Sequence, residues 1–521
     1  MNAGSSHKKR PSHENKVLLY DTTLRDGAQT EGVNFSLEDK ISVAKRLSGF
    51  GFDCIEGGWP SSGRKDIEFF RQAKDIGLKS DIAAFGMTSK DPGSDKKIED
   101  LMKTEADILT IFGKAWDLHV KHVLGVSEQE NLRMVSDTID FLKSSGFRVF
   151  FDAEHFFDGY KRNPLHALKV LGAAEEASAV ILCDTNGSAL PWEVGEAVAA
   201  VSENIRVPLG IHAHNDSGMA AVNSLTALKA GAVHVQGTVN GLGERCGNAD
   251  WCEMLPLMTE KMGLKHAADN SRLMKISRYV EQVSGFNVAK NKPFVGANAF
   301  SHKGGVHIDA MIKNPLAYEH MNPEKVGNTR SFSLSDQAGR AGIMESAKRH
   351  GFEVQKDDDV VIEAMEKVKG EEYVTDAELF LFFHRKLGKG KEPFRLQDYE
   401  TSVSSEGTAK TAIKLEAGGR EFHEIAEGVG PVHSLDMALK KALENMFDVG
   451  NVRLSNFRVR ILDSEKATAA RVEVFISFRA EDMSWSASGI SDDVIKASGE
   501  ALIKGYKFYL LKKRGETDVG S

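Results

Sequence analysis

Short runs of apolar, β-branched and aromatic residues alternate with longer amphipathic segments through the first half of the chain. Eight such runs follow one another at about the 30-residue spacing of βαβ units. They are VLLYD from Val17, CIEGG from Cys54, DIAAF from Asp81, ILTIF from Ile108, VFFDAE from Val149, VILCD from Val180, LGIHAH from Leu209 and VHVQGTVNG from Val233. Eight parallel strands joined by crossover helices predict a closed (β/α)8 barrel of the α/β class. An open doubly wound sheet is the alternative, and it is disfavoured because no Gly-rich dinucleotide turn follows the first strand.

The pattern changes twice after the barrel. The stretch from about Phe286 to Glu392 is rich in His, Lys and Gly, and it predicts loops and short helices. From Phe394 onward, strands followed by a helix occur twice: TAIKLEAGG and REFHEIAEG precede SLDMALKKALENMF, and VRILDSE and ARVEVFISFRA precede DDVIKASGEALIKGYKFYLL. This internal repeat predicts a pseudo-symmetric α+β domain.

The 521 residues, of which 41% are hydrophobic, suffice for more than one domain. The predicted division has a disordered tail at 1–16, the barrel at 17–285, a mostly helical linker subdomain at 286–392, the repeated α+β domain at 393–513 and a second tail at 514–521.

Charge and cysteine content narrow the class of protein. A net charge of -8 with mixed signs argues against a broad surface for nucleic acid. The four cysteines lack the spacing of a zinc site or a disulfide framework, which fits a reducing cytoplasm. No apolar run approaches the roughly 20 residues of a membrane span, and the polar first residues lack the apolar centre of a signal peptide. We therefore expect a cytoplasmic protein that binds neither nucleic acid nor membrane.

Candidate metal ligands fall at the carboxyl ends of predicted strands, where barrel enzymes place their chemistry. His212 and His214 project to the same side of strand seven because side chains alternate along a strand. Asp26, directly after strand one, offers the carboxylate that would accompany two imidazoles around a divalent cation such as zinc or manganese. Asn248, in the glycine-rich turn after strand eight, could add an oxygen. Buried histidines are often only hydrogen-bonded, and a turn asparagine is common, so both alternatives stay open here.

Other polar residues suit acid–base or anion-binding roles. Arg25 could bind a substrate oxyanion or carboxylate beside Asp26. Glu154 and Thr185 end or follow strands five and six, where they could act on substrate or cap the next helix. His307 and Tyr318 follow the barrel among glycines and suit proton transfer at a lid, whereas a solvated loop is the alternative.

Five motifs together resemble the acyl-CoA condensing branch of the DRE-type TIM metallolyases, which includes isopropylmalate, homocitrate and citramalate synthases. They are DTTLRDGAQ from Asp21, IEGGWP from Ile55, HAHND from His212, GLGERCGNAD from Gly241 and KGGVHIDA from Lys303. The resemblance covers nearly the whole chain.

The resemblance implies a role for each candidate residue. Asp26, His212, His214 and Asn248 would hold a divalent metal, which could be Mn, Zn, Mg or Co. Arg25 and Thr185 would bind the 2-oxo acid. Glu154, His307 and Tyr318 would take part in catalysis together with Arg25. It also implies a homodimer and a C-terminal feedback domain that binds an amino acid, here isoleucine. Both helices of the repeat begin after a Gly-containing turn, which fits an effector carboxylate, although ordinary capping explains each turn singly.

The choice among the synthases rests on subfamily features. The forms DGAQTEGVNFS, IEGGWPSS and FFDAEHFFDGY look most like citramalate synthases, which condense acetyl-CoA with pyruvate for isoleucine biosynthesis through 2-oxobutanoate. Phe85 and Phe112 could fill the space that a branched 2-oxo acid would need, or could be core residues.

Isopropylmalate synthase is the alternative function within the same family. A carbon–carbon lyase of the hydroxymethylglutaryl-CoA lyase kind is disfavoured because such lyases generally end after the barrel.

Overall fold

The computed structural model describes residues 16–302, 307, 310–311, 313–332, 340–370, 374–387, 391–405, 407–463, 465, 470–480 and 483–518. They divide into two compact units, one built on the residues up to 300 with 321–330, and one on 301–320 with the residues from 331 onward. The predicted linker subdomain thus contributes to both units, and the division into three domains stays a prediction. Apart from Lys16, the predicted first tail lies outside the described residues. No helix among the described residues is both long and apolar enough to cross a membrane.

The first unit is a closed barrel of eight parallel strands in sequence order, which confirms the predicted fold class. The strands are β1 Leu18–Asp21, β2 Cys54–Gly58, β3 Asp81–Met87, β4 Ile108–Lys114, β5 Arg148–Glu154, β6 Ala179–Asp184, β7 Leu209–Ala213 and β8 His234–Gly237. Closure is made by β1, which pairs Tyr20 with Cys54 of β2 and Leu18 with His234 of β8.

Helices follow the strands around the barrel. They are α1 Leu37–Phe50, α2 Arg64–Ala73, α3 Lys96–Met102, α4 Asp117–His119, α5 Glu128–Ser144, α6 Phe156–Arg162, α7 Pro164–Ala173, α8 Pro191–Asn204, α9 Ala220–Ala230, α10 Trp251–Glu260 and α11 Leu273–Ser284. Short 3-10 turns lie at Gly27–Gln29, Pro60–Ser62, Lys74–Ile76, Val239–Gly241, Asn270–Arg272 and Pro323–Val326, and a π-turn at Val120–Leu124. Local sequence sets these limits: α1 begins in a capping box of Ser36 and Asp39 and ends at Gly51, whose φ is 113°.

Two apolar layers stabilise the barrel. The larger lies between strands and helices and includes Leu19, Ile55, Phe151 and Trp251, all fully buried. The smaller lies inside the barrel. Among the described residues it consists of Tyr20, Cys54, Ala83, Ile108, Phe150, Ala179, Ile181 and Cys183, with Leu18 packed against it. The remaining described side chains inside the strands are in part polar, among them Glu56, Asp152 and Gln236. This polar filling differs from the branched aliphatic layers usual in such barrels.

The second unit begins with short elements and three helices. They are β9 Ser301–His302, a 3-10 turn at Pro315–Ala317, β10 Ser331–Phe332, α12 Arg340–Arg349, α13 Asp359–Gly370 and α14 Asp376–Lys386. A capping box of Thr375 and Glu378 starts α14.

Two antiparallel sheets of three strands follow, each covered by one helix, so the predicted internal repeat is confirmed. The elements are β11 Phe394–Val403, β12 Ala409–Ala417, β13 Arg420–Gly428, α15 Pro431–Glu444, β14 Arg453–Ile461, β15 Val472–Ala480, β16 Met483–Ser491 and α16 Val494–Asp518. Each repeat has one strand more than the sequence pattern indicated. The register of the first strand in each repeat shifts near its start, after Leu396 in β11 and after Leu454 in β14.

Candidate metal centre and the residues around it

Asp26, His212 and His214 come together at the carboxyl end of the barrel, where their ligand atoms all lie within 4.8 Å of one another. The Asp26 Oδ2 atom is 3.3 Å from His212 Nε2 and 3.9 Å from His214 Nε2, and the two Nε2 atoms are 3.3 Å apart. All three residues are buried. Two imidazole nitrogens and a carboxylate oxygen at these distances can share one divalent cation.

Unpartnered polar atoms support the same interpretation. Within the described part of the chain, the second oxygen of Asp26 and both side-chain polar atoms of Asn248 are buried without a hydrogen-bond partner. Buried polar groups are normally paired, so unpaired ones call for an explanation such as a bound ion. Asn248 forms a backbone bridge to His214. A Cβ atom built on Gly243 would come within 2.1 Å of the Asn248 side-chain oxygen, so glycine at 243 leaves room for this amide. The donor set fits a divalent metal ion.

The electrostatics favour a carboxylate and a neutral imidazole. Burial alone would raise the pKa of Asp26, but Arg25 and His212 outweigh it and hold that pKa well below the ordinary value. Burial, with a contribution from His212, lowers the pKa of His214 to about 3. At neutral pH the cluster therefore offers an anionic oxygen on Asp26 and an uncharged ring on His214. Burial opposes the charged form of His212, but Asp26 outweighs it and raises the pKa of His212, so a metal that binds there would displace a proton from this ring.

Two carboxylates, those of Glu56 and Asp26, hold the Arg25 guanidinium next to this cluster. Its Nε donates to Glu56 Oε2 at 2.6 Å, and one terminal nitrogen donates to Asp26 Oδ2 at 3.2 Å. The guanidinium carbon lies 3.9 Å from the centre of the Phe85 ring. Burial opposes the charge of Arg25, yet Glu56 and Asp26 raise its pKa, so it remains a cation with donors next to the metal ligands. Such a fixed cation suits an oxyanion or a carboxylate.

Three aromatic rings form a wall under Arg25. The rings of Phe85 and Phe112 are stacked with centroids 5.3 Å apart. Trp59 meets both edge-on, with each centroid distance 5.8 Å. Phe85 is buried, whereas Phe112 and Trp59 are half-buried, so of the two stacked rings it is Phe112 that has exposed surface. Both predicted pocket residues therefore lie together, next to Arg25.

Glu154 and Thr185 occupy the ends of neighbouring strands. Glu154 forms an ion pair with Lys114, which ends β4. The Thr185 hydroxyl oxygen accepts a hydrogen bond from the His155 backbone N–H at 2.9 Å. Its hydroxyl hydrogen can therefore be donated to another group, such as a substrate carboxylate. Thr185 also accepts at its carbonyl from Arg245, at 2.8 Å.

His307 and Tyr318 belong to the second unit. Their rings are stacked with centroids 4.3 Å apart, and Tyr318 is 47% exposed. The structure thus places the rings of His307 and Tyr318 in direct contact.

The sequence interpretation missed Glu56 and Lys114. Glu56 is fully buried and also accepts from the Tyr20 hydroxyl at 2.9 Å, so it fixes Arg25 from inside the barrel. Lys114 lies 5.4 Å from the Phe112 ring centre, besides its pairing with Glu154. A charged residue within or at the end of an apolar strand was the pattern that could have identified both.

Three family models match most of the chain, between residues 16 and 510. Residues 16–280 match the family model described as HMGL-like, residues 294–372 the homocitrate synthase post-HMGL domain-like model, and residues 373–510 the LeuA allosteric (dimerisation) domain. The three matches follow the predicted order of barrel, linker and repeated domain.

Curated relatives match at nearly full length. The (R)-citramalate synthase of Geobacter sulfurreducens is 40% identical, covering 95% of this chain and 98% of the relative, and that of Aquifex aeolicus is 41% identical, covering 96% and 99%. A probable 2-isopropylmalate synthase of Methanosarcina acetivorans is 28% identical, covering 97% of each chain.

Proposed function

This chain belongs to the HMGL-like family and, within it, to the (R)-citramalate synthases, and from that membership we propose that it condenses acetyl-CoA with pyruvate and water to give citramalate and CoA. The observation that carries the proposal is the buried Asp26, His212 and His214 cluster with Arg25 beside it, in a chain 40% identical to a citramalate synthase. The reaction is an acyl transfer in which the acyl group becomes an alkyl group, and it would serve isoleucine biosynthesis in the cytoplasm.

The metal site would be made by Asp26, His212 and His214, with Asn248 supplying a further oxygen. A divalent cation bound there would act as a Lewis acid that polarises the keto group of pyruvate. Arg25 would stabilise the negative charge that grows on the keto oxygen, because its guanidinium is fixed by Glu56 and Asp26 before substrate binds. Thr185 would donate its hydroxyl hydrogen to the pyruvate carboxylate.

The acetyl methyl group must lose a proton before it can attack the keto carbon. Glu154, His307 and Tyr318 are the candidates for this step. Glu154 lies in the barrel unit and is paired with Lys114, while His307 and Tyr318 are stacked on each other in the second unit. Hydrolysis of the thioester then releases CoA and makes the overall reaction favourable.

The size of the oxo acid would be limited by the aromatic wall of Trp59, Phe85 and Phe112. Pyruvate carries only a methyl group, which suits a pocket closed by three rings. A branched oxo acid such as 2-oxoisovalerate would need part of that space. The wall therefore supports pyruvate over the substrate of isopropylmalate synthase.

The test is CoA release from acetyl-CoA by the metal-loaded protein with pyruvate, 2-oxoisovalerate, 2-oxobutanoate or 2-oxoglutarate under matched conditions. We expect a strong preference for pyruvate. A preference for 2-oxoisovalerate would make the chain an isopropylmalate synthase, and no release with any oxo acid would contradict condensation.

We further propose that isoleucine binds the repeated domain as a feedback effector. An open groove of about 490 Å³ lies between α15 and β14. Its lining combines charged side chains with apolar ones, namely His433, Asp436, Lys440 and Arg453 with Val432, Met437, Val452, Leu454 and Phe457. An amino acid presents an ammonium group, a carboxylate and an apolar side chain, which are the three features that this lining complements.

Asp436 allows this effector proposal to be tested. One of its oxygens already accepts from the Tyr506 hydroxyl at 2.9 Å. We expect Asp436→Asn to weaken inhibition by isoleucine without changing the uninhibited rate, because an amide can still accept from Tyr506 but lacks the charge for an ammonium group. Asp448→Asn, at a side chain that is 80% exposed, is the control. Unchanged isoleucine inhibition in Asp436→Asn would place the effector elsewhere.

We also propose a homodimer that forms through the repeated domain. The matching family model is named for dimerisation. Strand β14 carries three partly exposed large apolar side chains, Phe457, Val459 and Ile461, with exposures of 43%, 42% and 60%. Sedimentation should give twice the 57.1 kDa of one chain. Replacing Val459 and Ile461 by threonine, which leaves Phe457 in the effector lining unchanged, should shift the mass toward one chain.

A further inference from the structure

Two buried polar residues inside the barrel connect to one of the candidate metal ligands. Gln236 on β8 is fully buried and Asp152 on β5 is 4% exposed. The inside of such a barrel is usually filled by branched aliphatic side chains, and burying an amide and a carboxyl there costs free energy unless both are hydrogen-bonded. Their position therefore calls for a reason beyond packing.

A chain of hydrogen bonds runs from Asp152 to His212. The Gln236 Nε2 donates to Asp152 Oδ1 at 3.1 Å. The Gln236 Oε1 lies 2.9 Å from His212 Nδ1. Because the amide nitrogen is bound to the carboxyl oxygen, the amide oxygen faces the imidazole, and an oxygen there can only accept. His212 Nδ1 must therefore carry the hydrogen.

This assignment decides which ring nitrogen can bind a metal. In a neutral imidazole one nitrogen carries the hydrogen and the other keeps a lone pair. With the hydrogen on Nδ1, the lone pair is on Nε2, and Nε2 is the atom that lies 3.3 Å from Asp26 Oδ2 and 3.3 Å from His214 Nε2. We propose that Gln236 is a positioning residue that holds His212 in the metal-binding tautomer and ring orientation, and that Asp152 holds Gln236 in the amide orientation this requires.

The other candidate histidine provides a contrast. The Nδ1 atom of His214 is buried and has no hydrogen-bond partner among the described residues. The chain of hydrogen bonds from Asp152 through Gln236 therefore reaches His212 and not His214. Outer groups of this kind typically change metal affinity about 10- to 100-fold when they are lost. The inference rests on the proposed metal site.

The test measures metal affinity and stability separately. Zinc binding by the full-length protein is followed by competition with a chromophoric chelator, and the melting temperature is measured in EDTA. We expect Gln236→Leu to weaken zinc binding about 10- to 100-fold. Asp152→Leu should act in the same direction, because it frees the amide of Gln236 to rotate. Asp152→Asn should stay within about threefold of the wild type, since an amide oxygen can still accept from Gln236.

Thr110→Val is the matched control. Thr110 is also fully buried inside the barrel and shares a 2.7 Å hydrogen bond with the Tyr20 hydroxyl, so its loss should lower the melting temperature without changing zinc affinity. If Gln236→Leu and Asp152→Leu bind zinc within twofold of the wild type, whatever their melting temperatures, the positioning role is wrong. If Gln236→Leu does not fold, the zinc affinity of Asp152→Leu is compared with that of Asp152→Asn. Equal affinities in these two variants would contradict the positioning role. A wild-type protein that binds no zinc, manganese or cobalt would instead contradict the metal site itself.

Discussion

The inside of the barrel and the inside of the repeated C-terminal domain are filled differently. In the barrel, Glu56, Asp152 and Gln236 are buried among the strands, and each connects through hydrogen bonds to Arg25 or His212. In the repeated domain, the space between sheets and helices is filled mainly by apolar residues such as Leu439, Phe478 and Trp485. Buried polar groups cost free energy, so their concentration in the barrel indicates that they fix groups for chemistry.

A buried polar cluster in the second unit tests this contrast. Glu378 at the start of α14 is buried, accepts from the Ser488 hydroxyl at 2.9 Å, and pairs with Lys504 of α16 at 3.0 Å. It also completes the capping box with Thr375. Here a buried carboxylate joins three elements, and its partners Ser488, Lys504 and Thr375 all belong to the same unit, which indicates a structural role.

The largest expected effect comes from removing the metal carboxylate. Asp26→Asn should lower the rate of CoA release by roughly a thousandfold, because losing the Lewis acid forfeits about 4 kcal/mol of transition-state stabilisation. The measurements are kcat with pyruvate and zinc affinity by chelator competition. Asp53→Asn is the control, since Asp53 binds the Leu19 N–H at the opposite end of the strands. An equal loss of kcat and of zinc affinity in Asp26→Asn and Asp53→Asn would show that the effect is structural.

A smaller effect is expected from a buried carboxylate in the second unit. Glu378→Gln should destabilise the second unit by about 2 kcal/mol, since it removes the charge from a buried carboxylate that is paired on two sides. For a unit of this size that corresponds to a lower melting temperature by about 4 to 8 °C. Zinc affinity should not change. Glu392→Gln, at an exposed carboxylate paired with Lys507 in the same unit, should cost less than about 0.5 kcal/mol. A loss of zinc affinity in Glu378→Gln would contradict the contrast between the two regions.

The smallest effect concerns substrate size. Phe112→Ala should raise the use of 2-oxoisovalerate relative to pyruvate by about tenfold, because it opens the aromatic wall on its exposed side. The measurement is the ratio of kcat/KM for the two oxo acids. Phe85→Ala is the informative companion, since it also removes the ring under Arg25 and should lower the rate with both oxo acids. An unchanged ratio in Phe112→Ala would remove this residue from the account of specificity.

Much of the barrel and part of its site could be predicted from sequence patterns. The spacing of apolar runs led to the eight strands, and alternation along β7 placed His212 and His214 on one side. The extra strands β11 and β16 were missed. In β11 the polar residues that face solvent on both sides leave little apolar periodicity. In β16 the small residues Ala487, Ser488 and Gly489 are buried, but their side chains are too small to make a clear apolar pattern.

The sequence by itself determined the local features of this protein: the repeated βα order, the paired histidines two residues apart, and the breakers that end the elements. These depend on periodicities of two and 3.6 residues, which are properties of neighbouring residues alone. Only the tertiary structure decided that Asp26 meets His212, that Glu56 holds Arg25, and that Asp152 reaches His212 through Gln236. The physical reason is that closing the barrel sets β1 beside β8 and turns residues of distant strands inward, and that closure is a property of the whole sheet.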